Sequence, residues 1–545
     1  MAVFAFAAMA HADELSDIQA QSKQLREQNQ ALMKRLTDLE KRQQKLEKQP
    51  AQAQAVRTVN PTDAMAADLP YKAAVKAPAP IDDSICWHGV CVYGNFDMGL
   101  AYVQHGDPNT AAIGQNYPVE KQSNGAYFGT ASNAFSSSFI GLKGKQEIGD
   151  NLYAVFNLQT LFYPNTGMNQ NGVGSIVQNN GLGAAPFLQT ANSYGDSSKG
   201  GQMFNNAAYF GVSSPTYGTF TMGRQSALSS DMIVNYDPLS GAGALSLITN
   251  EGLSGGGGVT ENRIWDNSYE YRLNVGPVRL AGEVAIRNGG NSTQGNAFQG
   301  DIGFDYMGLS MDFNGGKIYD ALSSSPLSAA QAGLINANTC SLGCVSGVVS
   351  DNTVFQVAGR YTIGQWKLFG GYEWIQFQNP NNPLNVGATA EGGYNVGAVN
   401  NNNYITARVE QVFWAGVRYA ITKDLDVTGA YYGYRQNSFH TSGAAAGSLV
   451  NVVGGPNGGD TNPTGTCNTS ISAGCSGTMD AASLALDWRF ARHFDWYSGV
   501  MYSQKTGGLA NGYTLTATNA SVAATYNTFN KVSNVDVVTG LRYQF

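Results

Sequence analysis

From Val92 to the end of the chain, apolar and polar residues alternate one by one in sixteen segments. They lie near 92–103, 134–145, 152–163, 206–213, 218–224, 268–275, 277–287, 299–306, 308–318, 353–362, 365–377, 408–421, 425–436, 481–490, 494–504 and 534–545. A period of two sends successive side chains to opposite faces of a strand. Leu152, Ala154, Phe156 and Leu158 share one face, and Tyr153, Asn157 and Gln159 the other. Likewise Leu280, Val284 and Ile286 oppose Arg279, Glu283 and Arg287, and Phe413, Val417 and Tyr419 oppose Arg418. Leu484, Leu486, Trp488 and Phe490 oppose Asp487 and Arg489.

The connections sort themselves as regularly as the strands. Short ones (EIGDN, SSPTYG, NVGP, YMG, TIGQ, ITKD, FARHF) alternate with long loops, a division that a soluble β-sandwich has no reason to make. Bacterial transmembrane barrels have short periplasmic turns, long outer loops and an even strand count. An Arg or Lys facing lipid at mid-membrane costs about 2–4 kcal/mol, so the charged faces must point inward. The expected fold is all-β: a sixteen-stranded antiparallel transmembrane barrel, with eighteen strands as the alternative. At that size the interior is an aqueous channel rather than a packed core. The last strand reads NVDVVTGLRYQF, with Leu541, Tyr543 and Phe545 on its apolar face. It resembles the carboxy-terminal strand that marks bacterial outer-membrane proteins for the barrel assembly machinery.

The amino-terminal part follows different periods. Residues 1–12 end on Ala10-His11-Ala12 and read as the remnant of a secretory signal. Residues 13–49 carry a heptad whose d positions are Ile18, Leu25, Leu32, Leu39 and Leu46, the signature of a self-associating coiled coil. With sixteen strands both chain ends fall on the short-turn side, which puts this helix in the periplasm. Residues 50–85, rich in Ala, Pro and Gln, read as a flexible linker to a barrel domain over 86–545.

Composition narrows the partners. Only 13% of the 545 residues are charged, against about 25% in ordinary soluble domains. No run of about 20 apolar residues offers a membrane-spanning helix. The net charge of −7 argues against nucleic acid. Six cysteines fall in three close pairs, Cys86/Cys91, Cys340/Cys344 and Cys467/Cys475, and local pairing is the simplest disulfide pattern. No CxxC occurs, and a metal site is not expected. With five His and no GxSxG, HExxH or phosphate loop, neither catalysis nor a cofactor is expected.

Four stretches together resemble the general diffusion porins of Gram-negative bacteria: YGNFDMGLAYV (93–103), SSFIGLKGKQEIGDNLYAVFNLQ (137–159), FNNAAYFGVSSPTYGTFTMGRQ (204–225) and GLRYQF (540–545). The coiled coil is outside that pattern and resembles the extension of some trimeric substrate-selective porins. The resemblance implies a homotrimer in outer-membrane lipid. It also implies an inward-folded loop, here about 225–261, that narrows the channel. Its acids would be Asp231, Asp237 and Glu251, facing wall residues Arg224, Lys143 and Lys145. Further wall candidates are Arg272, Arg279, Arg360, Arg418 and Arg489. Strict alternation puts Arg224 on the side of Phe220 and Met222, so it needs a bulge or strand end to face the pore. The expected function is passive diffusion of ions and small hydrophilic solutes, with some substrate selectivity. The alternative is a structural protein whose coiled coil tethers the membrane to the cell wall.

Overall fold

The computed structural model describes residues 85–104, 126–167, 169, 203–250, 264–286, 295–324, 344–382, 390–391, 394–401, 404–441, 476–507 and 531–545, together with Lys23, Gln30, Met33 and Lys34. The chain divides into two units, Met1–Val59 and Asn60–Phe545. In the first, the four described residues are helical and exposed. The heptad positions Ile18, Leu25, Leu32, Leu39 and Leu46 lie outside the described residues, as do the signal segment and the linker up to residue 84.

The second unit is a closed antiparallel barrel of sixteen strands among the described residues. These are β1 (Val90–Val103), β2 (Tyr127–Ser132, resumed at Ser138–Gly149), β3 (Leu152–Phe162), β4 (Ala207–Ser214), β5 (Gly218–Ser226), β6 (Ile264–Val275), β7 (Val278–Ala285) and β8 (Ala297–Tyr306). They continue as β9 (Leu309–Ser324), β10 (Cys344–Ile363), β11 (Trp366–Gln378), β12 (Arg408–Ala420), β13 (Leu425–Gln436), β14 (Gly477–Ala491), β15 (Phe494–Gly507) and β16 (Lys531–Gln544). β16 returns to β1, with Asn95 opposite Gln544 and Val103 opposite Asp536. Closure leaves no unpaired edge, as a sheet in hydrocarbon requires.

The alternation fixes which face is which. Leu541 is 53% exposed and the adjacent Arg542 only 1%, the reverse of a soluble protein. The tight turns carry left-handed backbone. Met307 and Gly308 both have positive φ (47° and 86°), which gives a two-residue hairpin turn matched to strand twist.

Three details differ from the periodicity. β2 starts earlier than alternation suggests and is interrupted at 133–137, because the Asp97 side chain replaces the ladder there. Asp97 Oδ2 accepts from the backbone N–H of Phe135 (3.0 Å) and Ser136 (2.6 Å). β9 and β10 extend past the predicted ends through a bulge between Ile318 and Ala321. Short strands are also added outside the barrel count: Ile85–Trp87 on the start of β1, Tyr394–Asn401 parallel to the start of β10, and Tyr404–Thr406 with His440–Thr441. Cys86 and Cys91 form a disulfide. Cys340, Cys467 and Cys475 lie outside the described residues, and Cys344 opens β10.

Candidate constriction of the channel

After β5 the chain turns into the barrel and forms α1 (Leu228–Tyr236) and the short α2 (Leu247–Asn250). Leu228, Met232 and Tyr236 recur at four-residue spacing and are buried together with Ile233, as one face of a helix requires. Asp231, Val234 and Asn235 lie on the less buried face.

A helix leaves its first N–H groups and last carbonyls without internal partners. Ala227, at the N-cap, supplies no side-chain cap. The barrel wall supplies both ends instead. Leu228 N–H donates to Glu283 Oε2 on β7 (3.2 Å) and Ser229 N–H to Gln299 Oε1 on β8 (2.9 Å). At the other end Arg360 donates to the Asn235 carbonyl (3.1 Å), the Trp414 indole N–H to the Tyr236 carbonyl (2.9 Å) and Arg418 to the Pro238 carbonyl (2.6 Å). Gly371, opposite Trp414 on the neighbouring strand, leaves the room that the indole fills. Each such bond contributes about 1 kcal/mol net, and leaving a buried partner unpaired costs more.

Beyond α1 the loop stays on the wall. The Tyr432 hydroxyl donates to Asp237 Oδ1 (2.6 Å), and Gly241 N–H to Asp237 Oδ2 (2.6 Å). Burial pushes the Asp237 carboxyl up from the usual carboxylate range, against the opposing pull of the Tyr432 hydroxyl. Ser483 of β14 donates to the Leu245 carbonyl (2.6 Å). Ala244 N–H reaches the Ala134 carbonyl (2.9 Å), in the interruption of β2. The irregular stretch around Asp97 is therefore a docking point for the loop.

Charge divides along the wall. On β6–β9 with Asp231, six carboxylates (Asp231, Glu270, Glu283, Asp301, Asp305, Asp312) surround two arginines. Arg272 pairs with Glu270 (2.5 Å) and with Asp231; Arg279 pairs with Asp312 (2.5 Å) and Asp305 and also donates to the Tyr236 hydroxyl (2.9 Å). On β10–β12, Arg360, Lys367 and Arg418 lie behind the C-terminal end of α1.

The wall residues named from the sequence fall into distinct places. Arg224 turns inward through the bulge that alternation required, since the β5–β6 register slips between Gly223 and Gln225. It is buried, ion-paired with Asp266 (2.8 Å) and donates through Nε to the Asn205 carbonyl (2.7 Å). Lys143 and Lys145 are half-buried, with ammonium groups over Tyr93 (5.0 Å) and Tyr153 (4.2 Å). Arg489 pairs with Asp426 (2.9 Å) and Asp487 (3.6 Å). Glu251 lies outside the described residues. Of the residues that hold the loop, Arg360 and Arg418 are among the candidates, whereas Glu283, Gln299, Trp414 and Tyr432 are not. Their inward parity is readable, but their partner is not.

A closed barrel that is apolar outside, charged inside and narrowed by an inward loop defines a class: the channel-forming proteins of the bacterial outer membrane. The chain belongs to the Gram-negative porin family, whose model matches residues 51–452. That membership points to a channel rather than an enzyme. The fold is similar to the anion-selective porin from Comamonas acidovorans at 14% identity, with 84% of this chain and 99% of that chain covered and a TM-score of 0.50. OmpT, an outer membrane protein of Vibrio cholerae, gives 13% identity, 85% and 100% coverage and a TM-score of 0.45. The outer membrane channel DcaP of Acinetobacter baumannii gives 12%, 84% and 97%, with a TM-score of 0.42. No curated protein matches the sequence.

Proposed function

We propose that the protein is a passive channel through which ions and small hydrophilic solutes cross the outer membrane, filtered where residues 228–250 fold inward. The observation that carries this reading is the loop itself: both ends of α1 are bonded to the inner wall, so the narrowing is a fixed feature of the lumen. Opposed charges on the wall orient dipolar solutes and bias ion selectivity. Asp231, with Arg272 beside it, and Lys143 and Lys145 on β2 are the side chains assigned to the solute path. No energy source is required.

The working unit in this reading is a homotrimer. An apolar hollow of about 520 Å³ on the outer surface of β3–β6, lined by Phe156, Leu158, Phe210, Met222 and Tyr269, offers a face for a second copy. Residues 13–49 form a periplasmic coiled coil that joins three chains and contacts the cell wall. The helical state of Lys23, Gln30, Met33 and Lys34 supports a helix there. Deleting 13–49 should leave solute flux intact while loosening envelope attachment.

Liposome swelling tests the channel. Vesicles carrying the full chain should swell in small sugars at a rate that falls steeply with solute size. Swelling no faster than in empty vesicles would remove this reading.

A further inference from the structure

Most of the inward-facing arginines are ion-paired. Arg224, Arg272, Arg279, Arg408, Arg489 and Arg542 each have a carboxylate within salt-bridge distance. Arg360, Lys367 and Arg418 have none among the described residues.

These three sit together on consecutive strands. Lys367 is directly opposite Arg418 across the β11–β12 ladder. Arg360 is opposite Phe369, two residues along the same face from Lys367. Directly opposed side chains have Cβ atoms roughly 4.5–5.5 Å apart, and like charges in that position repel. Arg418 lies over the Phe369 ring (5.6 Å) and Arg360 over the Tyr236 ring (5.6 Å). The two guanidiniums spend one or two donors on the Asn235 and Pro238 carbonyls and on Ser240 Oγ (3.0 Å). A guanidinium carries five donors, so most remain.

Lys367 is the decisive member. It is 5% exposed, and its ammonium makes no hydrogen bond or ion pair among the described residues. The charges that act on it are Arg418, Arg360 and Asp426, and Asp426 is engaged by Arg489 (2.9 Å). Burying a cation without a partner is costly, and two cationic neighbours add to that cost. An anion placed among the three would remove both penalties at once.

We propose that Arg360, Lys367 and Arg418 form a binding subsite for a small oxyanion, held at the short-turn end of the channel behind the C-terminal end of α1. The forks of two arginines suit the planar or tetrahedral oxygens of carboxylate and phosphate alike, and the ammonium supplies a point charge between them. Phe369 and Tyr236 form its aromatic sides. The subsite deepens the channel reading, since it assigns one class of solute that pauses in the lumen. It does not depend on conduction for its test.

The test is calorimetric titration of the full chain in detergent, with inorganic phosphate in one series and succinate in another, beside the variants Lys367→Met and Lys423→Gln. Lys423 is an exposed turn residue outside the cluster. The expected result is saturable binding of at least one anion, one site per chain, weakened tenfold or more in Lys367→Met and unchanged in Lys423→Gln. The tighter anion identifies the headgroup class. Thermal unfolding gives a second readout. The bound anion should raise the melting temperature of the parent chain and not of Lys367→Met, which itself should melt no lower than the anion-free parent. Absence of saturable binding by both anions, or equal binding by Lys367→Met, would overturn the subsite. Liposome swelling is read separately: flux without anion binding refutes the subsite alone, and binding without flux refutes the channel alone.

Discussion

The two ends of α1 meet walls of opposite character. At the N-terminal end, acceptors from Glu283 and Gln299 meet unsatisfied N–H groups within an acid-rich stretch of β6–β9. At the C-terminal end, donors from Arg360, Trp414 and Arg418 meet carbonyls at Asn235, Tyr236 and Pro238. A helix carries about half a positive charge at its N-terminus and half a negative charge at its C-terminus. The wall thus matches both the helix dipole and its open hydrogen bonds. The difference teaches how a loop with no cap of its own is fixed inside a watery channel: the barrel does the capping. Arg360 and Arg418 do double duty, holding the loop and belonging to the proposed anion subsite.

The comparison can be broken first at the donor end. Trp414 is buried, so Trp414→Ala removes its packing as well as its N–H, and should cost about 3–5 kcal/mol. Urea unfolding monitored by heat-modifiable gel mobility would measure it. Trp414→Phe keeps much of the ring and loses the donor, which should cost about 1–3 kcal/mol by leaving the Tyr236 carbonyl unpaired. The acceptor end should be weaker. Gln299→Leu leaves one N–H and the Ser229 hydroxyl without their partner, an expected loss of about 1–2 kcal/mol by the same assay. If Gln299→Leu proved costlier than Trp414→Ala, the ranking of the two ends would be reversed.

A smaller effect sharpens the comparison through pH. Burial raises the Asp237 carboxyl above its ordinary range. The folded chain therefore keeps this proton where the unfolded chain has released it. Stability from this residue is full at low pH and declines as pH rises from about 4, the unfolded value, up to the raised folded value. Asp237→Asn, which retains an acceptor for the Tyr432 hydroxyl, should flatten that decline in unfolding curves taken across the window. A slope equal to the parent's would assign the pH dependence elsewhere. The smallest effect belongs to the open wall. Lys145→Met should change stability by about 0.5–1 kcal/mol at most, the scale of its contact with Tyr153, while shifting the reversal potential in a salt gradient.

Much of the fold was legible because the lipid face tolerates so few polar residues. Arg542 between Leu541 and Tyr543 is enough to orient β16, and the charged residues of β6, β7, β12 and β14 repeat that constraint. The bulge at Arg224 was legible as a conflict, since an arginine in register with Phe220 and Met222 has to escape lipid. What stayed hidden is the pairing inside the lumen. Parity puts Trp414, Gln299 and Tyr432 inward, but the loop they bind is distant in sequence, and no period links Tyr236 to Trp414. The interruption of β2 was hidden for a similar reason: Asp97 displaces the ladder from a neighbouring strand, not from within the segment. Acids singled out in the loop for the solute path also divide by environment. Asp231 meets Arg272, whereas Asp237 is buried against Tyr432.

The central claim is that water fills the lumen and that a wall-bound loop sets its narrowest point. Single-channel recording in a planar bilayer tests it most directly, with the parent chain and Trp414→Phe compared under the same salt. Discrete conductance steps are expected from the parent, with larger or noisier steps from the variant as the loop loosens. An absence of steps at every voltage, or identical steps from a variant shown to have lost the Tyr236 bond, would contradict the account.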